Sequence, residues 1–353
     1  MRVLVIGPSP TRSKGGMATV ISEIAGDKEL CRKYNINIYE SYIDGGLIIR
    51  TIYSIYAFII FCLTKKNYDV YHIHMASWGS TFRKGFYVRL AKEWKKKVII
   101  HIHGAQYMEF YSKQSLRKKK KVINILQSAD ILIALSDSWE KKFEKEFGLT
   151  NCVSLPNGIN TDEFVNAIWN MGENRNAFLF MGRLGERKGA YDLVNAVEIV
   201  VKQNPFIKLF MAGDGEIDKI KAEISQKGLN NCIEVVGWVD LNEKKELLKK
   251  VSTVVLPSYN EGLPMSVLEG MASGKAIIST TVGAIPEVVK EDNGILIQPG
   301  DVHALADALV KCSSDVEMIS HMSIANIKKI NQNFSMKKMH DVLSRYYERV
   351  TQE

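Results

Sequence analysis

Short β-branched runs alternate along the whole chain with longer stretches whose apolar positions recur at helical spacing. In the first half Arg2–Gly7, Val70–Ile73, Val98–His101, Ile131–Leu135 and Val153–Leu155 read as strands. The second half repeats the scheme with Phe178–Met181, Lys208–Met211, Ile233–Val236, Thr253–Leu256, Ala276–Ser279 and Ile295–Ile297. Strands alternating with helical patterns predict α/β architecture, with parallel sheets wound on both faces. Pro156-Asn157-Gly158-Ile159-Asn160, followed by polar residues through Arg175-Asn176, has the turn chemistry of a linker and puts a boundary near 165–175. At about 150 residues per domain, two domains are expected, 1–165 and 166–335. The last stretch, Met336–Val350, is helical in pattern and can pack on either. Two doubly wound, Rossmann-like domains facing each other bring the carboxyl ends of both sheets to a central cleft, where such folds bind ligands.

Composition narrows the class. With 46% apolar and 24% charged residues the chain is globular, and collagen-like, coiled-coil and disordered readings fall away. The five cysteines are odd in number, far apart and without a CxxC pair. That pattern fits buried thiols in a reducing, cytoplasmic setting. Met1–Gly7 is too short for a secretory signal. The uncharged stretch Thr51–Leu63 is about half of the roughly 20 residues that cross a bilayer, so no spanning segment is expected.

Charge is unevenly shared: residues 1–160 hold 25 Lys+Arg against 13 Asp+Glu, the remainder 22 against 26. The basic runs Lys92–Lys97 and Arg117–Lys121 accompany the apolar, aromatic stretch Ile48–Leu63. This combination suits either a solvated helix face or a surface that docks peripherally on anionic lipid headgroups. Nucleic acid is disfavoured, since the runs lack aromatic interleaving and any recognised module.

Several strand ends carry chemistry. The loop after the first strand reaches Gly15-Gly16 at a helix start, where backbone amides can approach a phosphate or sugar. Pro257-Ser-Tyr-Asn-Glu261-Gly262-Leu263-Pro264 leads from a strand into a helix, with Pro264 expected at its first position. Its amides and dipole make an anion site suited to a diphosphate, and Glu261 and Glu269 flank it, placed to hold hydroxyls at both ends of a nucleotide sugar. Gly182-Arg183 and Lys188 end another strand with two cations that can neutralise a departing diphosphate. Gly213 and Gly237-Trp238-Val239 lie on the same rim, where a base could rest. His72-Ile-His74 and His101-Ile-His103 each put two imidazoles on one strand face. They are read as hydrogen-bonding groups ahead of a four-nitrogen metal site.

Gly15-Gly16, His103-Gly104, Asn157-Gly158, Gly182-Arg183 with Lys188-Gly189, Ala212–Gly215 and above all Glu261-x7-Glu269 resemble the retaining glycosyltransferases of family 4, which have the GT-B fold. The resemblance covers nearly the whole chain and is most specific in its second half. It implies transfer of a sugar from a nucleotide donor with retention at the anomeric carbon. By position it implies Glu261 near the sugar hydroxyls, Glu269 on the ribose, Arg183 and Lys188 on the diphosphate, Gly16 near the phosphates and His103 at the sugar. It also implies that the donor's own phosphate oxygen takes the acceptor's proton, and that 336–353 crosses back onto the first domain. No convincing DxD pair is present, so no metal and no other cofactor is expected. A uridine-diphosphate sugar is the favoured donor. The basic, partly apolar first domain suggests a glycan acceptor linked to polyprenyl diphosphate, as in bacterial surface polysaccharide assembly, at the inner face of the plasma membrane. Two alternatives remain, a nucleotide-sugar epimerase on the same fold and a non-catalytic sugar-binding protein.

Overall fold

Each half of the chain builds its own six-stranded, all-parallel sheet. In a computed structural model that describes residues 1–13, 15–168 and 175–352, the first sheet holds β1 (Val3–Pro8), β2 (Asn37–Tyr42), β3 (Val70–Met75), β4 (Lys97–Ile102), β5 (Ile131–Ala134) and β6 (Cys152–Ser154) in the order β2-β1-β3-β4-β5-β6. The second holds β7 (Ala177–Met181), β8 (Lys208–Ala212), β9 (Ile233–Gly237), β10 (Thr253–Leu256), β11 (Ala276–Thr280) and β12 (Gly294–Ile297) in the order β12-β11-β10-β7-β8-β9. All eleven expected strands are present. The twelfth, β2, is an edge strand of sequence NIYESY that stays partly exposed, so it lacks the apolar run that marks its neighbours. In each sheet the strand order reverses once, between β1 and β3 and between β7 and β10. Ligands of doubly wound folds bind outside the carboxyl ends of the strands at such reversals.

The chain divides into one unit of 1–158 with 336–353 and another of 159–335. The division precedes the expected 165–175 interval, of which residues 169–174 lie outside the described residues. It falls earlier because the Ile159 amide already donates to the Phe334 carbonyl (2.8 Å) and Ile159 bridges Ser335, which ties it to the second unit. Helix Met336–Gln352 returns to the first unit: Met339, Leu343, Tyr347 and Val350 are buried with Val3, Val5, Ile21 and Tyr34. Tyr34 donates its hydroxyl to the Ser344 carbonyl (3.1 Å).

Helix Leu47–Thr64 corrects one expectation. It has 18 residues, five more than the uncharged run suggested, and is long and apolar enough to cross a membrane by length and composition. Ser54, Ala57 and Phe61 are buried against the protein, whereas Ile48 (74% exposed), Ile52, Ile55, Ile59 and Leu63 are exposed.

Candidate active site

Two loops meet at the reversal point of the second sheet. One leaves β7 through Gly182–Gly189; the other leaves β10 through Pro257–Pro264 and enters helix Met265–Ala272. The Tyr259 amide donates to the Arg187 carbonyl (3.0 Å), and the Arg187 guanidinium donates to the Asn260 carbonyl (3.1 Å). Gly189 has φ 68°, and a Cβ there would stand 2.1 Å from the Pro257 carbonyl oxygen. Only glycine permits this approach of the two loops.

Glu261 lies in the β10 loop and Glu269 in the helix, and both are buried, 6% and 7% exposed. Each has a lysine partner: Lys188 Nζ is 2.5 Å from the Glu261 carboxylate, and Lys244 Nζ is 2.6 Å from that of Glu269. Carboxylates this buried need such partners, since an unpaired buried charge is strongly unfavourable. Pro264 is the residue before the helix, with ψ 128°, so the first helical position belongs to Met265 and not to the proline. No side chain caps this helix start; the Val267 and Leu268 amides donate to the Pro264 carbonyl (3.2 and 3.4 Å), and the Met265 and Ser266 amides have no acceptor within the helix. Those two amides and the positive end of the dipole suit an anion there. The Gly262 carbonyl accepts from the Ala284 amide (2.8 Å), which fixes the Gly262-Leu263-Pro264 turn from its other side.

The rim continues across β7, β8 and β9. The Gly182 amide donates to the Ala212 carbonyl (2.9 Å), the Leu184 amide to the Asp214 carbonyl (2.6 Å) and the Gly213 amide to the Gly237 carbonyl (2.7 Å). Arg183 is exposed and 3.9 Å from the Asp214 carboxylate, a distance at which water competes with the pair. Trp238 is exposed beside half-buried Val239. The second unit thus brings Gly182, Arg183, Lys188, Gly213, Val239, Gly262, Leu263, Pro264, Glu261 and Glu269 to the carboxyl edge of one sheet.

Comparison with known proteins decides the family. A model described as "Glycosyltransferase Family 4" matches residues 15–163, and one described as "Glycosyl transferases group 1" matches 175–315. The chain belongs to the group 1/family 4 glycosyltransferases. It is 24% identical over 301 residues to the amylovoran biosynthesis glycosyltransferase AmsK of Erwinia amylovora, covering 81% of this chain and 73% of that protein. It is 27% identical over 304 residues to the UDP-Gal:alpha-D-GlcNAc-diphosphoundecaprenol alpha-1,3-galactosyltransferase of Escherichia coli, covering 81% and 76%. In fold it is similar to sucrose-phosphate synthase from Thermosynechococcus elongatus, with TM-score 0.81, 16% identity and 99% of both chains covered. It is likewise similar to Anabaena HepE solved with UDP, with TM-score 0.77, 16% identity and 99% and 100% covered. The architecture is GT-B.

The remaining candidates of this glycosyltransferase lie in the first unit. Gly15, at φ 111°, precedes helix Gly16–Gly26, which has no side-chain cap. His103 follows β4, with its Nε2 2.8 Å from His74 Nδ1. His72, His74 and His101 project with it from one face of β3 and β4, and His72 Nδ1 lies 2.8 Å from the Tyr347 hydroxyl. Burial lowers His72 and His103 to about 3 and lowers His74 and His101 well below the usual histidine range, helped by neighbouring imidazoles for all but His103. All four are therefore neutral at physiological pH; His72, His74 and His103 hydrogen-bond, whereas both ring nitrogens of His101 are buried without a hydrogen-bond partner among the described residues. The ligand nitrogens of His72, His74 and His101 lie within 4.8 Å of one another, so the strand pairing also makes the alternative metal reading sterically possible.

Lys244 was not legible as a site residue. It lies on helix Leu241–Lys249, in the lysine-rich segment Glu243-Lys244-Lys245, where nothing in the sequence distinguishes the lysine that meets Glu269.

Proposed function

We propose that this glycosyltransferase moves a sugar from uridine-diphosphate sugar to a lipid-linked glycan of a surface polysaccharide, with retention and without a divalent metal, working peripherally at the cytoplasmic face of a membrane. The observation that carries this reading is the pair of buried carboxylates, Glu261 and Glu269, on either side of an uncapped helix start. A nucleotide sugar has hydroxyls at both ends and negative charge between them, which this order of groups complements. The reading is further supported by relatives named for amylovoran synthesis and for galactosyl transfer to a diphosphoundecaprenol, and by a structural neighbour solved with UDP.

In this scheme the anomeric C–O bond breaks and its electron pair leaves with the nucleoside diphosphate. Arg183, Lys188 and the Gly262-Leu263-Pro264 turn stabilise the growing negative charge, which is where preorganised donors help most. Glu269 holds the ribose, Glu261 the sugar hydroxyls, Gly15-Gly16 the phosphates and neutral His103 a further sugar hydroxyl. The base rests on the rim of Gly182, Gly213 and Val239. The acceptor oxygen attacks from the face the leaving group vacates, and its proton passes to a phosphate oxygen of the donor. A nucleophile and an acid/base carboxyl about 5 Å apart would be required for a covalent double displacement. Glu261 is the one carboxylate assigned to the sugar, and its partner is a lysine.

A thermal-shift panel of UDP, GDP and ADP with their sugars tests the reading on wild type and Glu269→Ala, each against its own ligand-free baseline. At about 100 times its dissociation constant a ligand adds roughly 2.7 kcal/mol. Stabilisation by UDP that is weakened in the variant is expected; stabilisation by none of the nucleotides would remove the reading.

A further inference from the structure

A cavity of about 770 Å³ opens at the reversal point of the first sheet, bordered by Pro8 at the end of β1, Tyr42 at the end of β2 and Ala76 after β3. One wall is helix Leu47–Thr64, which contributes Ile55, Phe58 and Ile59. Three cations line the same space. Lys84, on helix Gly79–Glu93, is 1% exposed; its ammonium donates to the Ser41 hydroxyl and lies 5.6 Å from the centre of the Tyr87 ring. The Arg83 guanidinium stacks 4.9 Å above the Tyr42 ring, and Arg50 donates to the Tyr42 hydroxyl at 3.4 Å. The Nε groups of Arg50 and Arg83 are buried without a hydrogen-bond partner among the described residues. Among the described residues Asp44 is the one carboxylate in the lining, so positive charge is in excess there.

Arg50 has the Asp44 carboxylate nearby, whereas no carboxylate offsets Arg83 or Lys84 among the described residues, and a desolvated cation without a counterion is costly. Burial, and secondarily Arg83, holds Lys84 far below its usual range, and burial lowers Arg83 as well. An anion in the cavity would relieve both. The helix that brings Arg50 to the cavity also lines it with Ile55, Phe58 and Ile59, and the same helix carries the exposed Ile48, Ile52 and Leu63. The occupant must therefore be anionic at one end and apolar over a long stretch at the other. A bulk phospholipid headgroup does not need a cavity with a fully buried lysine in its lining. A diphosphate on a long chain has the charge for three cations and the chain for the wall.

We propose that this cavity binds the phosphate end of the lipid-linked acceptor, with Arg50, Arg83 and Lys84 on the anion and Ile55, Phe58 and Ile59 along the first chain units. This rests on the transferase reading above and adds to it the site that selects the acceptor.

The test is calorimetric titration of the full chain with farnesyl diphosphate, farnesol, inorganic diphosphate and phosphatidylglycerol vesicles, with the UDP thermal shift recorded in parallel. Farnesyl diphosphate is expected to bind at least tenfold more tightly than farnesol or inorganic diphosphate. Its affinity should fall at least tenfold in Lys84→Met and in Arg50→Gln, the second being a substitution at a helix start that leaves the core untouched. Inorganic diphosphate binding as tightly would make this a free-phosphate site and overturn the proposal. So would farnesyl diphosphate affinity unchanged in both variants, or binding that appears with phosphatidylglycerol vesicles alone. A UDP shift that persists while prenyl binding fails rejects the cavity and keeps the donor site; the reverse result rejects the donor reading alone.

Discussion

Lys188 and Glu261 show how much a single contact can carry. Their side chains are 14% and 7% exposed, so neither charge is well solvated without the other. Replacing Lys188 by Met should cost about 3–5 kcal/mol because it strands a buried carboxylate. Adding Glu261→Gln should return much of that stability while kcat stays down by about 10²–10³, the loss typical of a group that stabilises developing charge. Urea unfolding and steady-state rates on the two variants check both halves. The histidine stack makes a second residue-scale prediction. Its four rings are neutral when folded and titrate near 6.5 when unfolded, so below that pH the unfolded chain binds more protons. Stability should be full above pH 6.5 and fall on acidification by about 1.4 kcal/mol per pH unit for each histidine. Urea midpoints between pH 7.5 and 5.5 measure this, and His101→Leu should remove about a quarter of the slope. A slope unchanged by that variant would show that His101 does not titrate on unfolding.

Elements differ in how far their own residues specify them. Val70–Met75 and Ala276–Thr280 are buried along their whole length and announce themselves by composition; β2 does not, because an edge strand carries polar residues on its open side. Helix Met336–Gln352 is legible as a helix, but its own pattern does not choose the core it joins. Met339, Leu343, Tyr347 and Val350 bury against the first unit, worth about 6–12 kcal/mol together, comparable to a whole domain's stability. A chain ending at Ser335 should therefore leave the first unit open to limited proteolysis while residues 159–335 stay resistant. Helix Leu47–Thr64 should hold the protein on anionic vesicles, with release by salt, because apolar insertion and charge attraction act together. Ile48→Asp with Ile52→Asp should abolish co-sedimentation without loosening the fold, since both side chains are already outside.

At the scale of the whole molecule the two units repeat one architecture with different chemistry. The second carries paired carboxylates at its reversal point, whereas the first carries three cations in an apolar cavity at the equivalent place. If Arg183, Lys188 and a helix start neutralise the leaving diphosphate, transfer should be unaffected by EDTA; loss of activity in EDTA restored by zinc would instead assign a metal to His72, His74 and His101. The sequence by itself determined the strands, the glycine-bearing loops and the Glu261-x7-Glu269 spacing, since hydrophobic periodicity, turn chemistry and helix starts are local properties of neighbouring residues. Only the tertiary structure decided that Lys188 and Lys244 neutralise those glutamates, that the last helix belongs to the first core, and that Arg50, Arg83 and Lys84 line one cavity with the apolar helix. Each of these joins residues tens to hundreds of positions apart, and such contacts follow from strand order and packing, which no local pattern encodes.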